Sequence, residues 1–279
     1  MELIRRLRTN TLAFVGAIAI VIILLMAIFA PVIMPHDPNE VETADRFLPP
    51  GSEGYILGTD LLGRDVLSRI ILGSRVSLLV AGVGVGMAVV IGVTFGVIAA
   101  FWAGWFEIII MQIADVLYAV PTLMIALGVV GLFGRSVNAV MFAIGVAYSP
   151  LFARVCHSAV VSIRELGFVE ASRAMGASRL RILWKDVMPN ILPLIMVQVT
   201  VSISWAILQE AGLGFLGMSV APPTPSWGTM LNEGREYFYS APTMPLFTGL
   251  MVLIAVFSFN LFGDGLRDIL DPRAWERLR

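Results

Sequence analysis

The sequence predicts an all-α, polytopic membrane protein with six transmembrane helices. Three observations carry that expectation. Hydrophobic residues make up 58% of the 279 positions and mean hydropathy is +0.86, beyond the roughly half-apolar make-up of soluble domains. The apolar residues fall into runs of the length that crosses a hydrocarbon layer as helix. The remaining polar residues gather between those runs. Charged side chains are only 14% and net charge is −1, which leaves no nucleic-acid footprint. A lone cysteine, Cys156, excludes an internal disulfide framework and a Cys-based metal cluster. It reads as a small buried hydrophobe.

In chain order, residues 1–10 form a cytoplasmic tail carrying Arg5, Arg6 and Arg8. The apolar run at 11–34 is longer than the core of a cleavable signal peptide, so it is expected to stay as the first span. Residues 35–76 form an extracytoplasmic segment rich in Pro, Gly and acids, ending in an interfacial helix. Thr59 or Asp60 is the expected cap of that helix, with Arg64 and Asp65 ionised at the surface. Residues 77–266 are the five-helix core. In its first span, Ser77–Phe101, Gly82 with Gly86 and Gly92 with Gly96 form two small-xxx-small pairs that favour close helix approach. Trp102 and Trp105 bracket a tight turn at Gly104, as interfacial aromatics do.

The third span, Glu107–Leu132, contains Gln112 and Asp115 and is expected to kink at Pro121. Asp115 lies roughly 12 Å along the helix from Glu107. An ionisable group at that depth is a candidate for the translocation path. A structural pair with an arginine is the competing reading. After a turn at Gly134-Arg135-Ser136, Val137–Cys156 makes the fourth span.

The long polar stretch of the second half lies at about 158–189, and its heart is Ile163–Pro189. Phe168, Ser172 and Met175 share one face of a first short helix. Gly176 can end that helix in the left-handed region, and Ser178 can cap the next. Leu180, Leu183, Trp184 and Val187 then form an apolar stripe, with Arg179, Arg181 and Lys185 on the wet side. Glu170-Ala171-Ser172, three residues, Gly176, nine residues and Asp186-Val187-Met188-Pro189 together resemble the EAA loop of bacterial ABC import permeases. The family pattern is E-A-A-x3-G-x9-I-x-L-P. Ser172 replaces the second Ala, and Asp186 and Met188 stand where Ile and Leu are usual.

Two further stretches carry the resemblance towards one branch. Leu57-Gly58-Thr59-Asp60-Leu61-Leu62-Gly63-Arg64-Asp65-Val66-Leu67-Ser68-Arg69 is similar to the LGTDxxGRDVLSR signature of dipeptide, oligopeptide and nickel permeases. Gly214–Leu231 and the run from Phe259 to Arg273 are also similar to that branch. The resemblance implies the type I ABC importer permease fold, with a cytoplasmic loop docking on an ATP-hydrolysing subunit. Phe168, Glu170, Ala171, Ser172, Gly176 and Pro189 are the expected coupling residues. It also implies a second related permease, one or two ATPase subunits and an extracytoplasmic binding protein. The cargo it implies is a di- or oligopeptide, with nickel or glutathione-like substrates as the alternative.

The fifth span, Asn190–Leu216, is the most polar. Gln198, Ser202, Trp205 and Gln209 fall on one helix face, either lining the translocation path or bonding to a partner subunit. Glu210, off that stripe, is a further path candidate. Pro222, Pro223 and Pro225 forbid regular helix beyond it. Trp227, Tyr237, Phe238 and Tyr239 suit a membrane interface. Met244–Phe262 is the sixth span, with Asn260 and Asp264 on one face. Residues 267–279 form a cytoplasmic tail.

Six spans starting inside leave only Arg46, Arg64, Arg69, Arg75, Arg135 and Arg235 outside among 19 Lys and Arg residues. That is the asymmetry of the positive-inside rule, with both termini and the 163–189 loop cytoplasmic. The only lysine, Lys185, is followed by Asp186, so no Walker A loop exists. ATP and Mg therefore belong to partner ATPase subunits, and this chain is expected to hold no cofactor or metal and to catalyse nothing. A Ser-His hydrolase is improbable, because both histidines precede the incomplete elbow at Gly217–Ala221. A self-contained secondary transporter would show a coupling-ion cluster at broken helices or an inverted repeat, and the sequence carries neither.

Overall fold

The computed structural model describes residues 10–102, 104–239 and 241–270. The expected tails fall largely outside them, along with Arg5, Arg6, Arg8 and Arg273. The described residues are helices joined by short turns and two irregular segments.

Helix α1 (Thr11–Ile28) is capped by Asn10, whose side chain accepts from the Ala13 amide. The first span is interrupted at Phe29 before the short α2 (Ala30–Ile33), with Pro31 in its first turn. Helix α3 (Val66–Trp102) has 37 residues, about 55 Å at 1.5 Å per residue. The expected interfacial helix is the opening of this one long helix. Its cap is neither Thr59 nor Asp60. Asp65 Oδ2 accepts from both the amide and the hydroxyl of Ser68, at 2.9 and 2.6 Å. Arg64 and Asp65 are buried rather than at the surface.

The third crossing is α4 (Trp105–Ala119) followed by α5 (Thr122–Phe133), bent by 93° at Pro121. Pro121 breaks the helix outright, because its ring blocks the preceding turn and it offers no amide. Five helical stretches among the described residues are long and apolar enough to span, and this bent pair brings the number to six if it crosses as one broken span. Helix α6 (Val137–Arg164), capped by Ser136, runs eight residues past the expected end of the fourth span.

Lipid is as apolar as leucine, so helix association here depends on close packing rather than on leaving water. Two expectations about glycine divide accordingly. Gly92 and Gly96 lie against Ser149, Phe152 and Ala153 of α6, where a Cβ would collide with backbone. Gly82 and Gly86 have open space beside them and point away from the bundle. Val80, Val85 and Ala88 of α3 join Ile144 and Phe152 of α6 in the main core. Helix α1 is held on the last helix, α11 (Thr243–Leu270), where Gly16 meets Ser258 O and Ala13 meets Gly265. Asn10 Nδ2 also donates to Asp268 Oδ2 at 3.2 Å.

The polar stretch forms α7 (Gly167–Ala174), a turn, α8 (Arg179–Ile182) and a π-helical turn at Leu183–Val187 that feeds α9 (Met188–Phe215). Gly176 has φ +79° and Ser178 caps α8 by accepting from the Arg181 amide, both as the sequence predicts. The apolar faces differ. Ile182, Leu183 and Val187 are buried, while Leu180 and Trp184 stand exposed. The π turn adds residues per turn and rotates the stripe out of its α-helical register. On α7 it is Val169 that is buried, with Phe168 and Met175 outward.

At the other end of the bundle, α10 (Trp227–Arg235) follows the irregular 216–226 segment and starts with a Ser226–Thr229 capping box. Trp227 is wholly buried, its indole donating to Ile70 O at 3.2 Å. It is a core residue, not an interfacial aromatic. Phe238 and Tyr239 are exposed as expected.

Candidate coupling surface and translocation path

The loop end of the bundle presents a surface built from α7, α8 and the ends of α3 and α6. The Arg164 guanidinium donates to Ala100 O at 2.7 Å. Ala100 lies in the last turn of α3, where carbonyls lack intrahelical partners and a cation is favoured. This bond leaves no mark in the sequence, since nothing in the spacing pairs residues 64 positions apart. It ties the root of the loop to the end of the longest helix. Between them lies a cleft of about 480 Å³ lined by Phe101, Trp102, Arg164, Glu170, Arg173 and Arg179.

Of the expected coupling residues, Phe168, Glu170, Ala171, Gly176 and Pro189 are exposed and Ser172 is half-buried. The turn is closed by Gly176 N–H to Arg173 O and Ala177 N–H to Ser172 O, at 3.0 and 3.1 Å. These bonds satisfy carbonyls at the end of α7. No side chain lies within 4 Å of a Cβ added at Gly176, so the backbone angle alone requires glycine. The surface offers hydrophobic knobs (Phe168, Met175, Leu180, Trp184) among exposed arginines, on a frame fixed by Val169, Ile182 and Val187. An amphipathic face of that size, with no cover among the described residues, fits a protein partner.

The path candidates do not form one surface. Gln198 bonds Ser202 at 3.3 Å and also lines a recess of about 680 Å³ with Asn190, Asp264 and Arg267. Ser202 is buried, and Trp205 is exposed. Gln209 is nearly buried, its amide donating to Thr122 O at 3.2 Å where the broken third crossing resumes. Glu210 is fully enclosed. It accepts from Ser77 at 2.8 Å and Ser219 at 2.9 Å, joining α3, α9 and the irregular outer segment. Within this chain the Glu210 carboxyl is closed off from solvent and ties three elements together.

Asp115 meets Arg154 at 2.8 Å, with both side chains about half exposed at 50% and 47%. The arginine pair that the sequence left open is present, and it faces outward. Arg154 also lies over the Tyr118 ring at 5.0 Å. Two turns nearer the loop end, Glu107 meets His157 at 2.7 Å. Half-exposed charge is not stable against hydrocarbon, so this face meets water or another protein.

A charged network among the described residues is not evident from the sequence. Arg64 Nε contacts Asp60 at 2.6 Å, and Arg64 and Arg69 share Glu233 at 2.7 and 3.0 Å. Its signal was present in the alternating charges of 60–69, but Glu233 lies far along the chain on α10.

The sequence profile of the family described as "Binding-protein-dependent transport system inner membrane component" matches residues 92–276. The chain belongs to this family. A second profile, the N-terminal TM domain of oligopeptide transport permease C, matches residues 2–50. Among similar permeases is the dipeptide transport system permease protein DppC of Alkalihalophilus pseudofirmus. It is 39% identical over 98% of this chain and 89% of its own length. The glutathione transport system permease protein GsiD of Pectobacterium atrosepticum is 36% identical over 98% and 90%. The inward-facing MetNI methionine ABC transporter gives a TM-score of 0.62 at 21% identity, covering 74% of this chain and 98% of that one. That likeness shows a shared permease fold.

Proposed function

We propose that the chain is one permease subunit of an ATP-driven importer of di- or oligopeptides. It supplies half of the translocation path and docks through residues 163–189 on a separate ATPase subunit. The observation that carries this reading is the loop-end surface. Gly176 shapes it, Arg164 braces it against α3, and exposed Phe168, Met175, Leu180 and Trp184 have no cover among the described residues. The loop end and both termini lie in the cytoplasm, where nucleotide is available. ATP and Mg bind the partner subunits, and a second permease faces the Asp115–Arg154 side. An extracytoplasmic binding protein delivers cargo to the opposite end and makes the first choice among peptides. The similarity to DppC and GsiD supports short peptides, glutathione-like molecules included, as that cargo.

Nucleotide-driven closure of the ATPase pair would move α7 and α8 as a body. The π turn joins α8 to α9 without a break, and Arg164 joins the loop to α3. Motion is thereby passed to two spans at once. The test is purification of the chain in mild detergent with ATPase assay of the eluate. Recovery of a second permease and nucleotide-binding subunits, with hydrolysis, is the expected result. A chain that emerges alone and inactive under conditions preserving complexes overturns the reading.

A further inference from the structure

The end of the bundle opposite the loop carries a second feature that the translocation path does not use. Residues 36–65 fold into a cleft of about 330 Å³ lined by His36, Asp37, Glu40, Glu42, Asp45 and Asp65. Asp37, Glu40 and Glu42 form an exposed rim, whereas Asp65 is only 2% exposed. Asp65 spends one oxygen on the Ser68 cap, and its Oδ1 has no hydrogen-bond partner among the described residues. His36 Nδ1 stands 3.6 Å from Asp65 Oδ2, beyond hydrogen bonding, and is likewise unpartnered. A buried carboxylate oxygen without a donor is a costly arrangement, and positive charge brought into the cleft beside Asp65 would offset it electrostatically.

The shape of the site selects among cations. No three His, Cys, Asp or Glu side chains among the described residues converge as metal ligands, and the cleft has about ten times the room a single water occupies in the liquid. One wall is aromatic, with His36 and Tyr55 stacked at 5.0 Å. Tyr55 donates to Asp45 Oδ2 at 3.1 Å; its desolvation and the surrounding carboxylates push its pKa up, so it stays a neutral donor. Carboxylates at rim and floor with an aromatic wall between them suit a long side chain with an apolar stem and a charged tip.

We infer that this acidic cleft receives a lysine or arginine side chain of the extracytoplasmic binding protein, and so sets its docking on this subunit. The inference rests on the importer reading above. Charge complementarity of this kind acts mainly on the rate of encounter and its salt dependence.

The experiment uses the assembled transporter in nanodiscs, with purified binding protein as the probe and interferometry as the readout. The triple variant Asp37→Asn/Glu40→Gln/Glu42→Gln is compared with Glu53→Gln, an exposed acid of the same segment outside the cleft. Thermal unfolding checks that each variant is folded. The expected result is an association rate lowered roughly tenfold at low salt by the triple variant, with a flattened salt dependence, and no change for Glu53→Gln. Unchanged rate and salt dependence in the triple variant overturn the proposal, as does an equal fall in Glu53→Gln. A defect confined to uptake of lysine-bearing peptides, with docking intact, assigns the cleft to cargo and also overturns it. Failure of the wild-type transporter to bind the protein at all defeats the importer reading itself.

Discussion

Arg69 and Glu233 lie 164 positions apart and meet at 3.0 Å, with the arginine side chain wholly shielded from solvent. The guanidinium also donates to Pro38 O at 3.3 Å. One side chain on α3 therefore gathers the irregular 34–65 segment and α10 into a single unit. Arg64 reinforces the join by bridging Asp60 and Glu233.

Removing one partner of such a pair leaves a buried charge uncompensated. Glu233→Gln leaves Asp60, 3.6 Å from Arg69 Nε, as the remaining carboxylate for two arginines. The expected loss of stability is about 3–5 kcal/mol. Thermal unfolding in detergent measures it as a lower midpoint and reduced yield. The double variant Arg69→Met/Glu233→Leu removes both charges and should recover part of the loss, a non-additive outcome.

Gly176 is required by its backbone angle of +79° and not by its surroundings, which are open. Gly176→Ala should cost about 1–2 kcal/mol of local conformational energy and retain partial import. Gly176→Pro cannot reach a positive φ, so the turn between α7 and α8 must rearrange. That variant, like Ala171→Arg on the exposed face, is expected to insert normally and to lose both uptake and substrate-stimulated ATP hydrolysis. Normal stimulated hydrolysis in either variant would remove the loop from the coupling step.

Five of the six expected spans, the turns at Gly104 and Gly134, and the Gly176–Ser178 junction are legible in the sequence, whereas the third span is split at Pro121 into two helices bent by 93°. Each follows from local rules: run length, left-handed glycine and capping hydroxyls. What the sequence concealed depends on contacts between distant elements. Trp227 looks interfacial because it follows prolines near a span end, yet Ile70 O and Ser77 Oγ draw it into the core. Arg64 and Asp65 look solvated until Glu233 and the Ser68 cap are in place. The stripe Gln198–Ser202–Trp205–Gln209 has the right period, but α5 covers its far end at Thr122. The apolar periodicity fails at Leu180 and Trp184, which stand exposed, and from Leu183 onward the π turn departs from the 3.6 residues per turn that the periodicity assumes.

The two glycine pairs of α3 separate packing within the chain from packing between chains. Gly96→Val would push a branched side chain into the Ala153 backbone, at a cost of about 1–3 kcal/mol from overpacking. Gly82→Val meets nothing within the chain and should leave the midpoint of the isolated subunit unchanged. Because an exposed small-xxx-small face on a spanning helix favours a neighbouring helix, Gly82→Val should lower recovery of the second permease. Quantitative co-purification against the Gly96→Val chain distinguishes the two effects.

The Asp115–Arg154 pair offers the most direct probe of the path. Both side chains are about half exposed, so the pair contributes about 1 kcal/mol or less to stability once solvent screening is counted. Asp115→Asn and Arg154→Gln should therefore barely shift the unfolding midpoint. If the face lines a water-filled route, each variant should still reduce peptide uptake, because a zwitterionic cargo passes charges of both signs. The charge swap Asp115→Arg/Arg154→Asp decides what the pair does. Should it serve only to hold α4 against α6, the swap restores uptake along with the ion pair. The expected outcome is a normal midpoint with uptake still impaired, since the sign of charge at each depth is reversed. Uptake at the wild-type rate in both single variants would move the path elsewhere, to the recess beside Gln198 and Asp264.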